Sequence, residues 1–536
     1  MTLAAAAERI AAQFEYPRSA VQRGVHEFLR EMKEGLRKSG TTLSQLPSYV
    51  TAVPDGSEKG VYMAVDLGGT NFRVCSIRLH GNGTFSLTQE KTKVPAEMML
   101  AKTGKELFGF MADRIEAFLK THHEAYHAAH VRRRTRGLGY SDEEMFSLGF
   151  TFSFPVEQQG INKGTLIRWT KGFDIPDVIG KDVCSLLQTE IDARYLPVRV
   201  VALVNDTVGT LLARAYTNTS KNATVLGAIF GTGTNGAYVE KLDRILKMSD
   251  ASDVDRSTGD MIINTEWGSF DNPQSVLPVT SYDIQLDQNS VNPGVHMFEK
   301  RVSGLFLGEI LRRALLELVK DPSAALFSDE NSNQNDTHST TNIAASSPLY
   351  EPFGLDTSLL SLVAGDDSKG LKITRQALDG DYGISAASAE DAEAVRLIAA
   401  AIGKRAARLA AVAIAAIVIH TNALRTADQV DVGVDGSLVE FYPNFEDYVR
   451  EALREIAQIG ESGEKRIHIG IAKDGSGVGA ALCALVAEAA QRGKSSAVLD
   501  CEMLTVAEAV NDEYEESDNL FSRLIGVIND AVRLRV

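Results

Sequence analysis

The stretch VYMAVDLGGTNFRVCSIRL, residues 61–79, predicts a β-hairpin closed by a glycine-rich turn. Its two apolar runs flank Gly68 and Gly69, and a second turn, GNG at 81–83, leads into a third run, TFSLTQ at 84–89. Short apolar runs broken by such turns are typical of antiparallel strands. The stretch therefore predicts a three-stranded antiparallel meander.

The first turn also has the residues of an anion site. Glycine lets the backbone approach a ligand closely, so we expect the amides of Gly68, Gly69 and Thr70 to face phosphate oxygens. Asp66 ends the preceding strand and suits a hydrated Mg²⁺ ion, which prefers one or two carboxylates together with water and phosphate. An ordinary hairpin with a capping aspartate is the alternative.

A similar pattern returns later in the chain. TVLGAIF at 224–230 leads through GTGTNG at 231–236 into AYVEKL at 237–242, and MIINTEW at 261–267 supplies a third strand. A repeated strand order with helices between the strands predicts two similar α/β lobes that face each other. Coincidence between two ordinary hairpins is the alternative.

The second hairpin matches the GxGxxG pattern of dinucleotide-binding folds at 231–236. That pattern requires a helix after the turn, whereas residues 237–240 alternate like a strand. The sequence also lacks the HRD and DFG motifs of protein kinases and the GxxxxGK[ST] motif of P-loop proteins. We therefore predict a second phosphate-binding hairpin, with Thr232 near a terminal phosphate.

The segment VVALVNDTVGTLLARAY, residues 200–216, predicts a strand that ends at Asn205 and Asp206, where a helix begins. Asp206 suits a general base, because open α/β folds place their sites at the carboxyl ends of strands. Aspartate is also a favoured helix cap, and that is the competing interpretation.

Four further segments supply hydroxyls, carboxylates, a lysine and both tryptophans of the chain: LGFTFSFP (148–155), LIRWTKGF (166–173), INTEWGSFDN (263–272) and FEKRVSGLFLGEI (298–310). Their candidate residues are Ser153, Thr170, Lys171, Glu266 and Glu299, of which we expect the first three in strand-like settings. Each taken singly is more often a surface or capping group. Together they suit a polyhydroxyl ligand.

Two late segments each contain a Gly-Ser turn, VGVDGSLVEFYP at 432–443 and IAKDGSGVGAALCALVAEAA at 471–490. The second leads directly into a helix. A helix N-terminus behind Gly475, Ser476 and Gly477 suits a phosphate or the ribose of a nucleotide. A tightly packed strand-to-helix loop is the alternative.

Composition indicates a large acidic globular protein. The 536 residues carry a formal net charge of −16, with 44% hydrophobic and 24% charged residues, a profile that can bury large cores. The acidic balance argues against broad binding to nucleic acid or anionic membranes. Four separated cysteines and an N-terminus without an apolar signal core predict a cytoplasmic location.

Three other stretches have a distinct character. Residues 389–425 are alanine-rich and apolar on more than one face, which predicts a long buried helix. Residues 329–347 are polar and predict a mobile surface loop. Residues 501–536 combine an acidic run with an amphipathic helical stripe.

The order of the motifs resembles that of the hexokinase family of sugar kinases, and within it the fungal glucokinase and hexokinase branch. DLGGTNFR, FTFSFP, WTKGF, VNDTVGT, FGTGTN, NTEWGSF, FEKRVSG, VDGS and GSGVGAAL follow one another across most of the chain. The resemblance implies an α/β fold of two ribonuclease-H-like, actin-like lobes around a deep cleft. It also implies an ATP-dependent hexose 6-phosphotransferase that converts glucose to glucose 6-phosphate at the entry of glycolysis.

Carried over position by position, the resemblance implies that Asp206 is the base that accepts the proton of the sugar 6-hydroxyl. The implied sugar-binding residues are Ser153, Thr170, Lys171, Asn205, Asp206, Asn235, Glu266 and Glu299. The implied ATP- and phosphate-binding residues are Asp66, Gly68, Gly69, Thr70, Asn71, Arg73, Thr232, Gly436, Ser437 and Ser476. Asp66 would hold Mg²⁺ through water.

The resemblance also divides the chain. Residues 1–59 and 207–473 would form a large lobe, residues 60–206 and 474–500 a small lobe, and residues 501–536 a C-terminal extension. We expect a monomer or homodimer whose ligands are glucose and ATP rather than nucleic acid or a membrane.

Three alternative functions share parts of this pattern. An actin- or Hsp70-like ATPase uses the same phosphate hairpins but has no reason to carry WTKGF, NTEWG and FEK. A sugar sensor without catalysis is disfavoured because Asp66, Lys171 and Asp206 are all present. A broad-specificity hexokinase, also acting on mannose and fructose, shares the same hydroxyl-binding residues and stays open.

Overall fold

The computed structural model of the chain describes residues 2–135, 145–218, 220, 222–249, 254–328, 341–472 and 474–491. The predicted extension at 501–536 and residues 329–340 of the predicted loop lie outside these ranges. The described end of that loop contains a short strand, Asn342–Ile343, and the loop prediction is wrong there. The reason is backbone pairing, because this strand forms a ladder with Ile384–Ser385.

Groups of strands and groups of helices follow one another along the described chain. The strands are β1 Leu46–Pro47, β2 Lys59–Leu67, β3 Asn71–His80, β4 Phe85–Lys93, β5 Phe146–Phe152, β6 Val156–Gly160, β7 Lys163–Leu166, β8 Val198–Val204, β9 Thr224–Phe230, β10 Thr234–Lys241, β11 Asp260–Asn264, β12 Asn342–Ile343, β13 Ile384–Ser385, β14 Val430–Asp435 and β15 Ile467–Ile471. The helices are α1 Leu3–Ala12, α2 Arg18–Arg37, α3 Ala96–Met99, α4 Gly104–His122, α5 Glu124–Thr135, α6 Val183–Ala193, α7 Asp206–Thr217, α8 Ser281–Gln288, α9 Glu299–Val302, α10 Gly304–Lys320, α11 Thr357–Ala364, α12 Lys372–Gly380, α13 Ala389–His420, α14 Ala423–Thr426, α15 Ser437–Phe441, α16 Phe445–Glu455, α17 Gly460–Glu464 and α18 Gly475–Gln491.

The smaller sheet has the strand order β4-β3-β2-β5-β8. β2, β3 and β4 form the predicted antiparallel meander, while β5 and β8 run parallel to β2. The carboxyl ends of parallel strands meet at one edge of a sheet. Asp66, Ser153 and Asn205, which lie at the ends of β2, β5 and β8, are therefore brought to the same edge.

The larger sheet repeats this arrangement, with the order β1-β11-β10-β9-β14-β15. β9, β10 and β11 are antiparallel, and β14 and β15 run parallel to β9. Each sheet thus contains an antiparallel meander followed by two parallel strands, and the larger sheet adds the short edge strand β1, antiparallel to β11. The prediction of two similar α/β lobes is confirmed, whereas the exact lobe boundaries stay a prediction.

The long helix α13 forms the centre of the larger lobe. Its side chains are buried over most of its length because α1, α2, α11 and α16 all pack against it. The sequence prediction of a buried helix in this region is therefore confirmed. In the described part of the chain, no helix combines the length and the apolarity needed to cross a membrane.

Helices α7 and α18 cross between the two sheets at glycine residues. α18 covers one face of the smaller sheet, and α7 packs against β9, β10 and β14 of the larger sheet. At the crossing, a Cβ on Gly475 would lie 2.6 Å from Thr210 Oγ1, and a Cβ on Gly479 would overlap the backbone of Gly209. Only glycine permits helix axes to approach this closely.

We predict that Gly479→Ala destabilises the protein by about 3 kcal/mol, the upper end for overpacking a tight contact, because the new methyl group would push α7 and α18 apart. Gly380→Ala in α12 is the matched control, since nothing lies within 4 Å of a Cβ at that position. Thermal unfolding of both variants measures the difference. Equal unfolding midpoints would contradict the close crossing.

Candidate active site

The turn between β2 and β3 is closed by its own backbone. The Gly68 amide donates to the Asn71 carbonyl at 3.2 Å, and the Asn71 side-chain amide donates to Thr70 Oγ1 at 3.1 Å. Of the three amides predicted to face phosphate, that of Gly68 is therefore used within the turn. The amides of Gly69 and Thr70 are the better candidates for a phosphate contact.

Arg73 joins this hairpin to the start of α18. Its guanidinium donates to Asp66 Oδ2 at 3.2 Å, to Asp474 Oδ1 at 2.7 Å and to the Ser476 hydroxyl. Burial alone would lower the pKa of Arg73, but the charges of Asp474 and Asp66 more than offset it, and the pKa is raised. Ser476 thus meets the phosphate hairpin through Arg73, while its role in nucleotide binding stays a prediction. Asp474 was missed, although it directly precedes the Gly-Ser turn.

A cavity of about 630 Å³ lies beside the turn, within the size range of small-molecule sites. Its lining residues are Asp66, Gly68, Gly69, Asn71, Arg73, Gln89 and Lys91. Sequence reasoning missed the last two. The pairing of β3 with β4 could have indicated both residues, because it places Lys91 opposite Arg73 and Gln89 opposite Cys75.

Asp206 occupies the first position of α7, directly after the cap residue Asn205. The Asn205 side-chain oxygen accepts from the Thr207 amide at 2.9 Å, so Asn205 rather than Asp206 caps the helix. Burial raises the pKa of Asp206 to about 6, and the nearby Glu266 carboxylate adds to the rise while Lys171 opposes it. The carboxylate is thus poised to exchange a proton near neutral pH.

Two neighbouring residues at the start of β10 hold the two predicted carboxylates. The Thr234 amide donates to Glu299 Oε2 at 3.0 Å, and the Asn235 side chain donates to Glu266 Oε1 at 3.4 Å. Asn264 donates to the same Glu266 oxygen at 2.7 Å. Burial raises the pKa of both glutamates. The strand therefore places two hydrogen-bond acceptors side by side.

Lys171 faces these carboxylates from a loop of the smaller lobe. Its ammonium group donates to the Ser153 carbonyl at 2.8 Å and lies 5.5 Å from the centre of the Phe154 ring. Burial lowers the pKa of Lys171, opposed by the charges of Asp206, Asp66 and Glu299, which lie within electrostatic range.

The local setting of this lysine differs from the sequence prediction. Ser153, Thr170 and Lys171 were expected in strand-like settings, but all three lie in loops after β5 and β7. For Lys171 the physical reason is its own backbone, whose φ of 57° is incompatible with a strand. The loop brings the Lys171 side chain beside the phosphate hairpin, since a Cβ added to Gly69 would lie 3.6 Å from Lys171 Cδ.

The second hairpin and the first Gly-Ser turn pack against each other. Thr232 lies in the turn between β9 and β10, where its carbonyl accepts from the Leu305 amide at 3.1 Å. Gly436 has a φ of 110°, and a Cβ there would lie 2.5 Å from the Phe230 carbonyl. Close packing thus brings the turn that contains Thr232 against the Gly436–Ser437 turn, and the Asp435 carboxylate before that turn lies within electrostatic range of Asp474, the partner of Arg73.

Comparison with known proteins identifies close relatives over nearly the whole chain. A glucokinase of Aspergillus niger is 59% identical over 492 residues, which covers 91% of this chain and 98% of that protein. Glucokinase-1 of Saccharomyces cerevisiae is 44% identical over 507 residues, covering 90% and 97%. A hexokinase structure from Schistosoma mansoni, complexed with glucose, is 32% identical with a TM-score of 0.71, covering 90% and 99%.

Two sequence profiles described as hexokinase also match, one over residues 6–216 and the other over residues 225–486. The two matches span both sheets, both hairpins and the α7–α18 crossing. The chain belongs to the hexokinase family, with the two-lobed actin-like fold of those sugar kinases.

Proposed function

We propose that this protein transfers the γ-phosphoryl group of ATP to the 6-hydroxyl of glucose. The observation that carries the proposal is the placement of Asp206 at the start of α7, where it lies within electrostatic range of Lys171, of Glu266 and of Asp66 beside the glycine-rich turn, and where its pKa is raised. Named glucokinases among the relatives and a glucose complex among the related structures support glucose as the acceptor.

The acceptor sugar is held by hydrogen bonds in this proposal. Glu266 and Glu299 accept from sugar hydroxyls, while Asn205, Asn235, Ser153 and Thr170 complete the sugar site. Buried acceptors that lack their donor cost about 1–3 kcal/mol each, so ligands without the matching hydroxyls bind poorly.

The transfer itself needs a base and positive charge. The Asp206 carboxylate accepts the proton of the 6-hydroxyl as that oxygen bonds to the γ-phosphorus. The bond from the γ-phosphorus to its bridging oxygen breaks, so ADP leaves with the electron pair. Lys171 and the turn amides of Gly69 and Thr70 stabilise the negative charge, which is the main task in phosphoryl transfer.

The phosphate side of the site fits a magnesium ion. Asp66 is a partly exposed carboxylate on the wall of the 630 Å³ cavity, where its Oδ2 atom pairs with Arg73 at 3.2 Å and the glycines of the turn leave room beside it. Mg²⁺ suits a single carboxylate with water and phosphate, and it would supply charge neutralisation of the nucleotide. Thr232, Gly436, Ser437 and Ser476 are proposed for the remaining nucleotide contacts.

A cytoplasmic location is proposed as well. Cys75, Cys184 and Cys483 are buried free thiols, which a reducing compartment preserves. The oligomeric state, monomer or homodimer, stays a prediction.

We predict that Asp206→Asn lowers kcat by about 10²–10⁴-fold, the usual contribution of a general base, because the amide cannot accept the hydroxyl proton. Sugar binding should survive within a few-fold, measured by tryptophan fluorescence, since Trp169 and Trp267 directly adjoin Thr170 and Glu266 in the chain. Asp182→Asn is the control, since Asp182 caps α6 and asparagine caps equally well. A kcat near that of the wild type in Asp206→Asn would refute the assignment of the base.

The pH profile provides an independent prediction. Because the pKa of Asp206 lies at about 6, the carboxylate is protonated below that pH and cannot act as a base. We expect kcat/KM for glucose to be level above pH 7 and to fall about tenfold per pH unit well below pH 6. Glucose 6-phosphate formation between pH 5 and 8 measures this, and a level profile down to pH 5 would contradict it.

A further inference from the structure

Arg301 is a buried charge that the proposed chemistry does not use. Its side chain is 1% exposed, and it lies two residues after Glu299 at the end of the short helix α9. The guanidinium donates to three neutral oxygens, Pro278 O at 2.6 Å, Met297 O at 2.7 Å and Gln274 Oε1 at 2.8 Å. Burying a charge is costly, so this residue needs an explanation beyond surface solubility.

The three acceptors belong to two different segments. Met297 precedes α9, whereas Gln274 and Pro278 lie in the loop that follows Glu266 and the turn Trp267–Ser269. A planar guanidinium can bond all three at once, which a lysine ammonium on a flexible stem does not reproduce. Arg301 therefore ties the loop after Glu266 to the segment that carries Glu299.

Hydrogen bonds within the loop after Glu266 hold its backbone in one conformation. The Asp271 carboxylate accepts from the amides of Ser275, Val276 and Leu277, each at 2.7 Å. Asn272 provides a second connection, because its side-chain oxygen accepts from the Met297 amide at 3.2 Å. A displacement of either segment is thus passed to the other.

The two segments also touch beside the carboxylates. A Cβ on Gly268 would lie 3.0 Å from His296 Nδ1 and 3.4 Å from Glu299 Cβ. α9 has only four residues and little internal hydrogen bonding of its own. Its orientation, and with it the position of the Glu299 side chain, depends on external contacts such as those of Arg301.

We propose that Arg301 is a positioning residue that sets the spacing between Glu266 and Glu299, and thereby the affinity for a hexose. The inference rests on the proposed function, because it assigns both carboxylates to the sugar. In this role, Arg301 contacts neither the sugar nor the nucleotide. Its substitution should therefore weaken sugar binding selectively.

The test compares Arg301→Lys with Arg312→Lys in the full chain. Arg312 is the matched control, because it is also buried with three hydrogen bonds, to Glu309 twice and to Leu349 O, but lies away from both segments. For Arg301→Lys we expect the Kd and KM for glucose to rise about tenfold, the loss of roughly one charge-assisted bond. The kcat and the KM for ATP should stay within about twofold, and Arg312→Lys should leave all four constants near wild type.

Two milder variants keep the proposal testable if Arg301→Lys does not fold. Asn272→Ala and Gln274→Ala each remove one tie and retain the guanidinium, and each should raise the Kd for glucose about threefold. Unchanged glucose affinity in the folded variants, or equal losses for glucose and ATP, would overturn the positioning role. A wild-type protein that binds no glucose and forms no glucose 6-phosphate would instead overturn the proposed function.

Discussion

The contact between α7 and α18 is the constraint on which the site depends. One helix begins with Asp206 and the other with the Gly475–Ser476 turn, and each covers a different sheet. Because Gly209, Gly475 and Gly479 let the helices touch backbone to backbone, their N-termini lie close together. Larger side chains at these glycines would push the two helices apart. Asp206 would then move away from the phosphate hairpin, which Arg73 links to Ser476.

Around that crossing, the site balances like charges instead of avoiding them. Burial raises the pKa of Asp206, Glu266 and Glu299, and a neighbouring carboxylate adds to the rise for Asp206 and Glu266. Lys171 offsets part of this cost, and β10 offsets more by donating from Thr234 and Asn235. The burial that raises the pKa of Asp206, helped by Glu266, thus belongs to the same arrangement that presents acceptors to a sugar.

Sequence alone predicted the two meanders, the long helix and the residues that follow strands, because strand alternation and glycine turns are local signals. It failed for Ser153, Thr170 and Lys171, which lie in loops after β5 and β7, and the left-handed backbone of Lys171 is one that no local pattern specifies. It also missed Asp474, Lys91 and Arg301. These residues acquire their roles from cross-strand register or from partners distant in the chain, such as Asp474 with Arg73 and Arg301 with Pro278.

The packing of α18 on the smaller sheet has a consequence for how the chain is made. The strands of that sheet are complete by Val204, but one of its apolar faces, including Ala64, Ile77 and Val201, is covered by residues 478–487. During synthesis this face therefore emerges long before the helix that shields it. The nascent chain carries an exposed hydrophobic surface until nearly its last described residues leave the ribosome, the situation in which holding chaperones prevent aggregation.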